Sequence, residues 1–382
     1  MAEEFLRSML LGGNMSNERF NNNKGDIEFK RCQCEFCRYN CKDENGIDKK
    51  TCPKYPDGKP DEVLQTKVKC PFLDFQAMLQ RNAQIFRGIP GYRKFDTVRR
   101  LRGLSSEEKY YIKTKEQQEF LLKVSNIPNA RKMDEERLWL NYLESNGILT
   151  NRVLDYGSFH RHRSAYTLLS WIPGMSVSDV LNDANNDVCL QLGYKAGTLL
   201  RQIHKIKPPQ RLLPQAMSRV IDECIFKFSC DDVSLEKYPS MNVFLDYLKK
   251  HKHIDLHEET YSILHGDFHT GNLIFYDNRI CAIDWIRGAC GNPIDDFVRN
   301  IVNGSENPAF ASAQIDAYFD GNVPESFWLE LAILTAIHEL KITEFQFPDA
   351  KNGEAFVSYQ HGLVVDQYNS MQLLIPKYYS HT

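Results

Sequence analysis

The segment Ile263-Leu-His-Gly-Asp-Phe-His-Thr-Gly-Asn-Leu-Ile-Phe275, followed by Ile280-Cys-Ala-Ile-Asp-Trp285, sets a polar cluster between apolar runs. Asp267, Asn272 and Asp284 carry its oxygen donors. Two carboxylates and an amide oxygen suit a hard cation such as Mg2+, which prefers oxygen ligands and shares its sphere with substrate phosphates. That donor set points to phosphoryl transfer, in which the protein positions reactants and neutralises charge while one aspartate accepts or orients the proton of the attacking hydroxyl. Asp267 is the candidate for that role. Asp296, further on, is read as a brace for this loop.

The elements that must position these groups are legible around them. Leu273 to Phe275 and Ile280 to Ile283 read as strands joined by the turn Tyr276-Asp-Asn-Arg279, a hairpin that starts beside Asn272 and ends at Asp284. Upstream, Lys109-Tyr-Tyr-Ile112 and Phe120-Leu-Leu-Lys-Val124 form a second predicted hairpin. Met133, Leu138, Leu140 and Leu143 then follow helical spacing, and Ala165 to Ile172 is an apolar, partly β-branched run that stops at Pro173-Gly174. Beyond Ser176 the pattern turns helical, with Val188, Leu192, Ala196, Leu199, Leu200 and Ile203 three or four residues apart. The sequence thus predicts a small α+β lobe over 92–174 and a larger helical lobe over 175–382.

His265-Gly-Asp267, Asn272, Ile283-Asp-Trp285 and Gly291-x-Pro293-x-x-Asp296 together resemble the aminoglycoside phosphotransferase family of kinase-like enzymes. The resemblance covers about residues 95–382 and implies a bilobal, protein-kinase-like α+β fold. It makes Asp267 the catalytic aspartate, Asn272 and Asp284 the magnesium ligands, and His265 a loop-shaping residue. Leu104-Ser-Ser-Glu-Glu-Lys-Tyr-Tyr-Ile112 looks like the family's nucleotide-covering turn and strand, with Ser105 and Ser106 at the phosphates. Lys123 looks like the phosphate lysine, paired with Glu136 (Glu135 being the alternative) on the following helix. Ser170 and Ile172 would offer backbone hydrogen bonds to the purine of ATP or GTP. Thr270 and Asn292 stand where proline and aspartate are frequent in the family, and neither removes a group the chemistry needs.

The chain has 382 residues, 47 Lys or Arg against 50 Asp or Glu, and 42% hydrophobic residues, which excludes a disordered or fibrous class and any global cationic field for nucleic acid. No run reaches the ~20 apolar residues of a membrane span, and a cytoplasmic protein is expected. Residues 1–30 read as a disordered lead-in. Residues 31–75 hold six of the eleven cysteines, too few apolar residues for a core of their own, and a candidate zinc site at Cys34, Cys37, Cys52 and Cys70; reduced, unliganded thiols are the alternative.

The acceptor is read from charge. From Ile301 to Thr382 ten Asp or Glu face three Lys, which would steer a cationic acceptor such as an aminoglycoside. Aromatics in the same region, Phe310, Tyr318, Phe319, Phe327, Trp328, Phe345 and Phe347, raise a choline- or ethanolamine-type kinase as the competing enzyme. A kinase-like nucleotide-binding protein without turnover is the third reading.

Overall fold

In the computed structural model the described residues are 51–60, 86–101, 107–126, 130–159, 164–208, 217–253, 261–344 and 350–381. In chain order the elements are β1 (Phe95–Leu101), β2 (Glu108–Thr114), β3 (Glu119–Asn126), α1 (Ala130–Ser145), β4 (Val153–Phe159), β5 (Ser164–Ser170), β6 (Met175–Ser176), α2 (Val177–Asn182) and α3 (Asn186–His204). These are followed by α4 (Met217–Phe228), α5 (Asp232–Lys237), α6 (Met241–His251), β7 (Ser262–Leu264), β8 (Leu273–Tyr276), β9 (Arg279–Ala282) and β10 (Ala289–Gly291). The last are α7 (Asn300–Glu306), α8 (Pro308–Tyr318), α9 (Glu325–Ile342) and α10 (Ala350–Gln367). The chain divides into two units, one built on the strands up to Ala130 together with Val153–Trp171, the other on Arg131–Arg152 with Ile172 onward.

The strand unit is an antiparallel five-stranded sheet in the order β1-β2-β3-β5-β4. The predicted hairpin is β2 and β3, in a register that sets Lys109 opposite Lys123. One face packs Phe86, Ile89, Val98, Tyr110, Ile112, Leu122, Val124, Phe159 and Tyr166 into a core. The two edge strands, β1 and β4, are not in the sequence reading. Phe95-Asp-Thr-Val-Arg-Arg-Leu101 and Val153-Leu-Asp-Tyr-Gly-Ser-Phe159 each bury a single residue and expose much of the rest, so they carry little apolar signal.

In the helical unit every residue named for the α3 pattern is buried, from Val188 to Ile203. Asn185 caps that helix by accepting from the Val188 N–H at 3.0 Å. The α3 helix lies hard against α8: a Cβ on Gly193 would stand 2.2 Å from the Phe310 carbonyl, and one on Gly197 2.1 Å from that of Gln314. The hairpin β8–β9 turns on Asp277 and Asn278, both at positive φ, as a tight two-residue turn of this hand requires. Helix α1 buries Met133, Trp139, Leu140 and Leu143 but leaves Leu138 exposed, so Leu138 does not belong to the predicted apolar face. No described helix is long and apolar enough to cross a membrane.

Candidate active site

The loop between β7 and β8 is shaped from the backbone outward. Gly266 has φ +76, and a Cβ there would sit 2.3 Å from the Arg287 carbonyl, so the turn accepts only glycine. Asp296 is almost wholly buried and receives the loop: its Oδ2 accepts from the His265 N–H and its Oδ1 from the Gly266 N–H, each at 2.7 Å. His204, at the end of α3, donates from Nε2 to Asp296 Oδ2 at 3.1 Å and accepts at Nδ1 from the Tyr318 hydroxyl at 2.9 Å. Burial, then the Asp296 charge, raises the Tyr318 hydroxyl's pKa, which keeps it a donor.

His265 ties the loop to the far end of the hairpin. Its Nδ1 accepts from the Asp267 N–H at 3.2 Å and its Nε2 donates to the Ile283 carbonyl at 3.0 Å, while the ring lies against the buried Trp285. The Ile283 N–H in turn donates to the Asn272 carbonyl at 2.9 Å, extending the β8–β9 ladder by one rung. Asp267, Asn272 and Asp284 therefore sit on one connected backbone frame. Asn272 Nδ2 donates to the Asp267 carbonyl at 3.0 Å, which leaves Oδ1 as that amide's acceptor. Asp284 adopts a left-handed conformation, φ 67 and ψ 62, an uncommon state for a residue with a side chain and one that recurs at functional sites. An amide oxygen and a carboxylate on this frame are the donor chemistry Mg2+ takes.

Two arginines and a histidine surround the Asp267 carboxylate. Arg299 Nε donates to Oδ1 at 2.8 Å, Arg287 Nη1 lies 3.9 Å from the same oxygen, and His269 Nε2 lies 3.9 Å from Oδ2. Burial alone would raise its pKa; Arg299 foremost, with His269 and Arg287, outweighs burial and holds the carboxyl below its usual range. Burial lowers His269 to about 4. Its Nδ1 accepts from the Gly271 N–H, so the ring proton sits on Nε2, toward Asp267. Arg299, Arg287, His269 and His204 are absent from the sequence reading; only His269 lies inside the motif, and no local pattern announces the long-range arginine partners.

In the strand unit Lys123 is fully buried and forms an ion pair with Glu107 at 3.2 Å. The β2–β3 register makes Glu107 its diagonal neighbour on the same sheet face. In the other unit Glu136 is buried on α1, whereas Glu135 is exposed and paired with Arg131 at 3.0 Å, which singles out Glu136 as the inward-facing glutamate. Ser170 ends β5, and the side chain of Ile172 packs with Ile274 and Cys281 in an apolar cluster beside β8 and β9. Ser105, Ser106, Cys34, Cys37 and Cys70 lie outside the described residues. Cys52 is half-buried and carries a free thiol, its backbone pairing with that of Tyr55 through two hydrogen bonds, and no group of three or more His, Cys, Asp or Glu placed to hold a metal ion occurs among the described residues.

The acids and aromatics on which the acceptor reading drew take the following places in the fold. Asp316, Glu330 and Glu339 are buried, with Asp316 accepting from Tyr379, Glu330 from Asn292, and Glu339 beside His338. Asp320, Glu344, Glu354 and Asp366 pair with Arg201, Lys227, Lys237 and Lys377. Three of the ten acids are thus buried and four more stand in exposed ion pairs. The described aromatics pack on one another, Phe297 against Tyr318 and Phe327, and Phe327 against Trp328, with ring centroids 4.8–5.3 Å apart. Phe310, Phe327 and Trp328 are buried, as a core requires and a cation cage does not.

An antiparallel five-stranded sheet preceding a helical unit, with a His-Gly-Asp loop and a following Asp on a hairpin, defines a kinase-like phosphotransferase. The profile of the phosphotransferase enzyme family matches residues 97–328, and the chain belongs to that family. No curated protein matches the sequence. Among solved structures, a thermostable mutant of aminoglycoside phosphotransferase APH(4)-Ia, in ternary complex with ADP and hygromycin B, is 15% identical with a TM-score of 0.56, over 73% of this chain and 95% of that one. Amicoumacin kinase hAmiN, in complex with AMP-PNP, Ca2+ and Ami, is 16% identical with a TM-score of 0.51, over 81% of this chain and 96% of that one. ADP-bound aminoglycoside phosphotransferase APH(2'')-Ib gives 16% and 0.51, over 74% and 97%. At such identities the likeness carries the fold.

Proposed function

We propose that the protein moves the γ-phosphoryl of ATP or GTP to a hydroxyl of a small molecule, with aminoglycoside-type antibiotics the first acceptors to try. The single observation that carries this reading is the frame on which Asp267, Asn272 and Asp284 stand, with an ionised carboxylate at its centre. Hygromycin B and Ami in the structural neighbours motivate the choice of acceptor.

Asp267 receives and orients the acceptor hydroxyl. Its carboxylate stays ionised under Arg299, so it can accept that hydrogen bond at any physiological pH. Asn272 and Asp284 would hold Mg2+, which when bound neutralises charge on the triphosphate. Lys123 would bind the nucleotide phosphates from β3. Ser170 and Ile172 would offer backbone hydrogen bonds to the purine. Ser105 and Ser106 would close over the phosphates. Nucleotide dependence fits a cytoplasmic enzyme. Zinc on Cys34, Cys37, Cys52 and Cys70 remains in the proposal for the N-terminal module, tested by metal analysis of the purified full chain.

The experiment is a screen of hydroxyl-bearing acceptors, aminoglycosides, amicoumacin and choline among them, for ADP or GDP release with Mg2+. Acceptor-dependent release that vanishes in Asp267→Asn supports the reading. Release unchanged by that substitution ends it.

A further inference from the structure

The Asp267 carboxylate has two oxygens, and the fold treats them differently. Oδ1 is taken by Arg299 Nε at 2.8 Å, whereas the His269 Nε2 that faces Oδ2 stands at 3.9 Å, outside hydrogen-bond reach. The Arg299–Asp267 pair is largely withdrawn from solvent, with side-chain exposures of 15% and 19%, so it is not a screened surface pair. Arg287, at 3.9 Å and 41% exposed, is the looser neighbour. A charge-assisted bond of this length fixes both the position and the rotation of a carboxylate.

The placement of Arg299 in the chain adds to this. It follows the 3-10 turn Pro293–Phe297, three residues after Asp296, whose carboxylate holds the backbone of His265 and Gly266. A single short segment thus grips the catalytic loop twice, at its backbone through Asp296 and at its reactive side chain through Arg299. That segment is itself anchored, since Asp296 is buried against His204.

We propose that Arg299 is a positioning residue for the transfer reaction: by binding Oδ1 it rotates the Asp267 carboxylate so that Oδ2 meets the acceptor hydroxyl. The proposal rests on the reading of Asp267 given above. A bond made by Arg299 to the enzyme rather than to a substrate affects the geometry at the reacting hydroxyl and leaves ground-state binding of nucleotide unchanged. Its loss lowers kcat with little change in KM.

The test is steady-state kinetics of Arg299→Met, Arg299→Lys, Asp267→Asn and the Arg299→Met/Asp267→Asn double variant. The assay uses the acceptor that the screen identifies, or Mg2+-dependent ATP hydrolysis if it identifies none. Arg299→Met is expected to lower kcat about 10–100-fold, the scale of a misplaced catalytic group, with nucleotide KM within about twofold. Arg299→Lys should recover some of that loss, since lysine restores the charge but not the planar donor. The double variant should be no slower than Asp267→Asn alone, because two residues acting as one unit are non-additive. If Arg299→Met fails to fold, the Arg299→Lys kinetics and its combination with Asp267→Asn carry the same test. An unchanged kcat in Arg299→Met, a rise in nucleotide KM instead, or losses that multiply in the double variant would overturn the proposal. Full turnover by Asp267→Asn, or silence of the intact protein in both assays, would instead overturn the reading beneath it.

Discussion

Asp296 Oδ1 accepts the Gly266 N–H at 2.7 Å, joining a buried carboxylate to the one residue of the catalytic loop that must be glycine. Through its other oxygen Asp296 also receives His265 and His204. Replacing it by alanine would leave two buried donors, the His265 N–H and His204 Nε2, without this acceptor, each costing about 1–3 kcal/mol. Asp296→Ala is expected to lose at least about 2 kcal/mol in denaturant unfolding, and Asp296→Asn, which keeps one acceptor oxygen, distinctly less. Equal stability of the two variants would contradict the role assigned to that carboxylate.

The contact of α3 with α8 depends on the missing side chain of Gly197. A Cβ there meets the Gln314 carbonyl at 2.1 Å, so Gly197→Val must force the helices apart and is expected to cost more than about 2 kcal/mol. Gly362 on α10 has nothing within 4 Å of a Cβ, and Gly362→Ala should instead stabilise by up to about 1 kcal/mol. Urea titrations of the two variants should move the midpoint in opposite directions.

Burial, with the neighbouring Asp296 charge second, pushes the Asp295 carboxyl up to about 7 from an ordinary 3.8. Between those values the folded chain holds a proton the unfolded chain has released. The stability this group contributes is therefore complete below about pH 4 and falls as pH climbs through 7. Asp295→Asn should raise the melting temperature relative to wild type at about pH 8, with the gain shrinking toward about pH 4, read by thermal unfolding across that range. Parallel curves for the two proteins would contradict it.

Where the signal is local, the molecule was legible from its sequence. The hairpin of β8 and β9 announces itself by two apolar runs about a Tyr-Asp-Asn-Arg turn, and α3 by six apolar residues all of which are buried. Strands β1 and β4 escape because edge strands bury few residues, so neither composition nor alternation marks them. His204 ends a helix pattern with nothing to signal Asp296, and Arg299 sits far from Asp267 in sequence; such partners become visible only when the chain closes. The acidic excess after Ile301 is a coarser signal for the converse reason, since net charge does not record that Asp316, Glu330 and Glu339 turn inward.

The proposed phosphoryl transfer rests on Asp267. With Mg2+ and a labelled γ-phosphate on ATP, the intact protein should label a hydroxyl-bearing acceptor, EDTA should abolish that labelling, and Asp267→Asn should slow it at least about 100-fold while still binding nucleotide. Labelling by Asp267→Asn within about threefold of the intact protein, a difference too small for loss of a catalytic acid or base, would contradict the assignment.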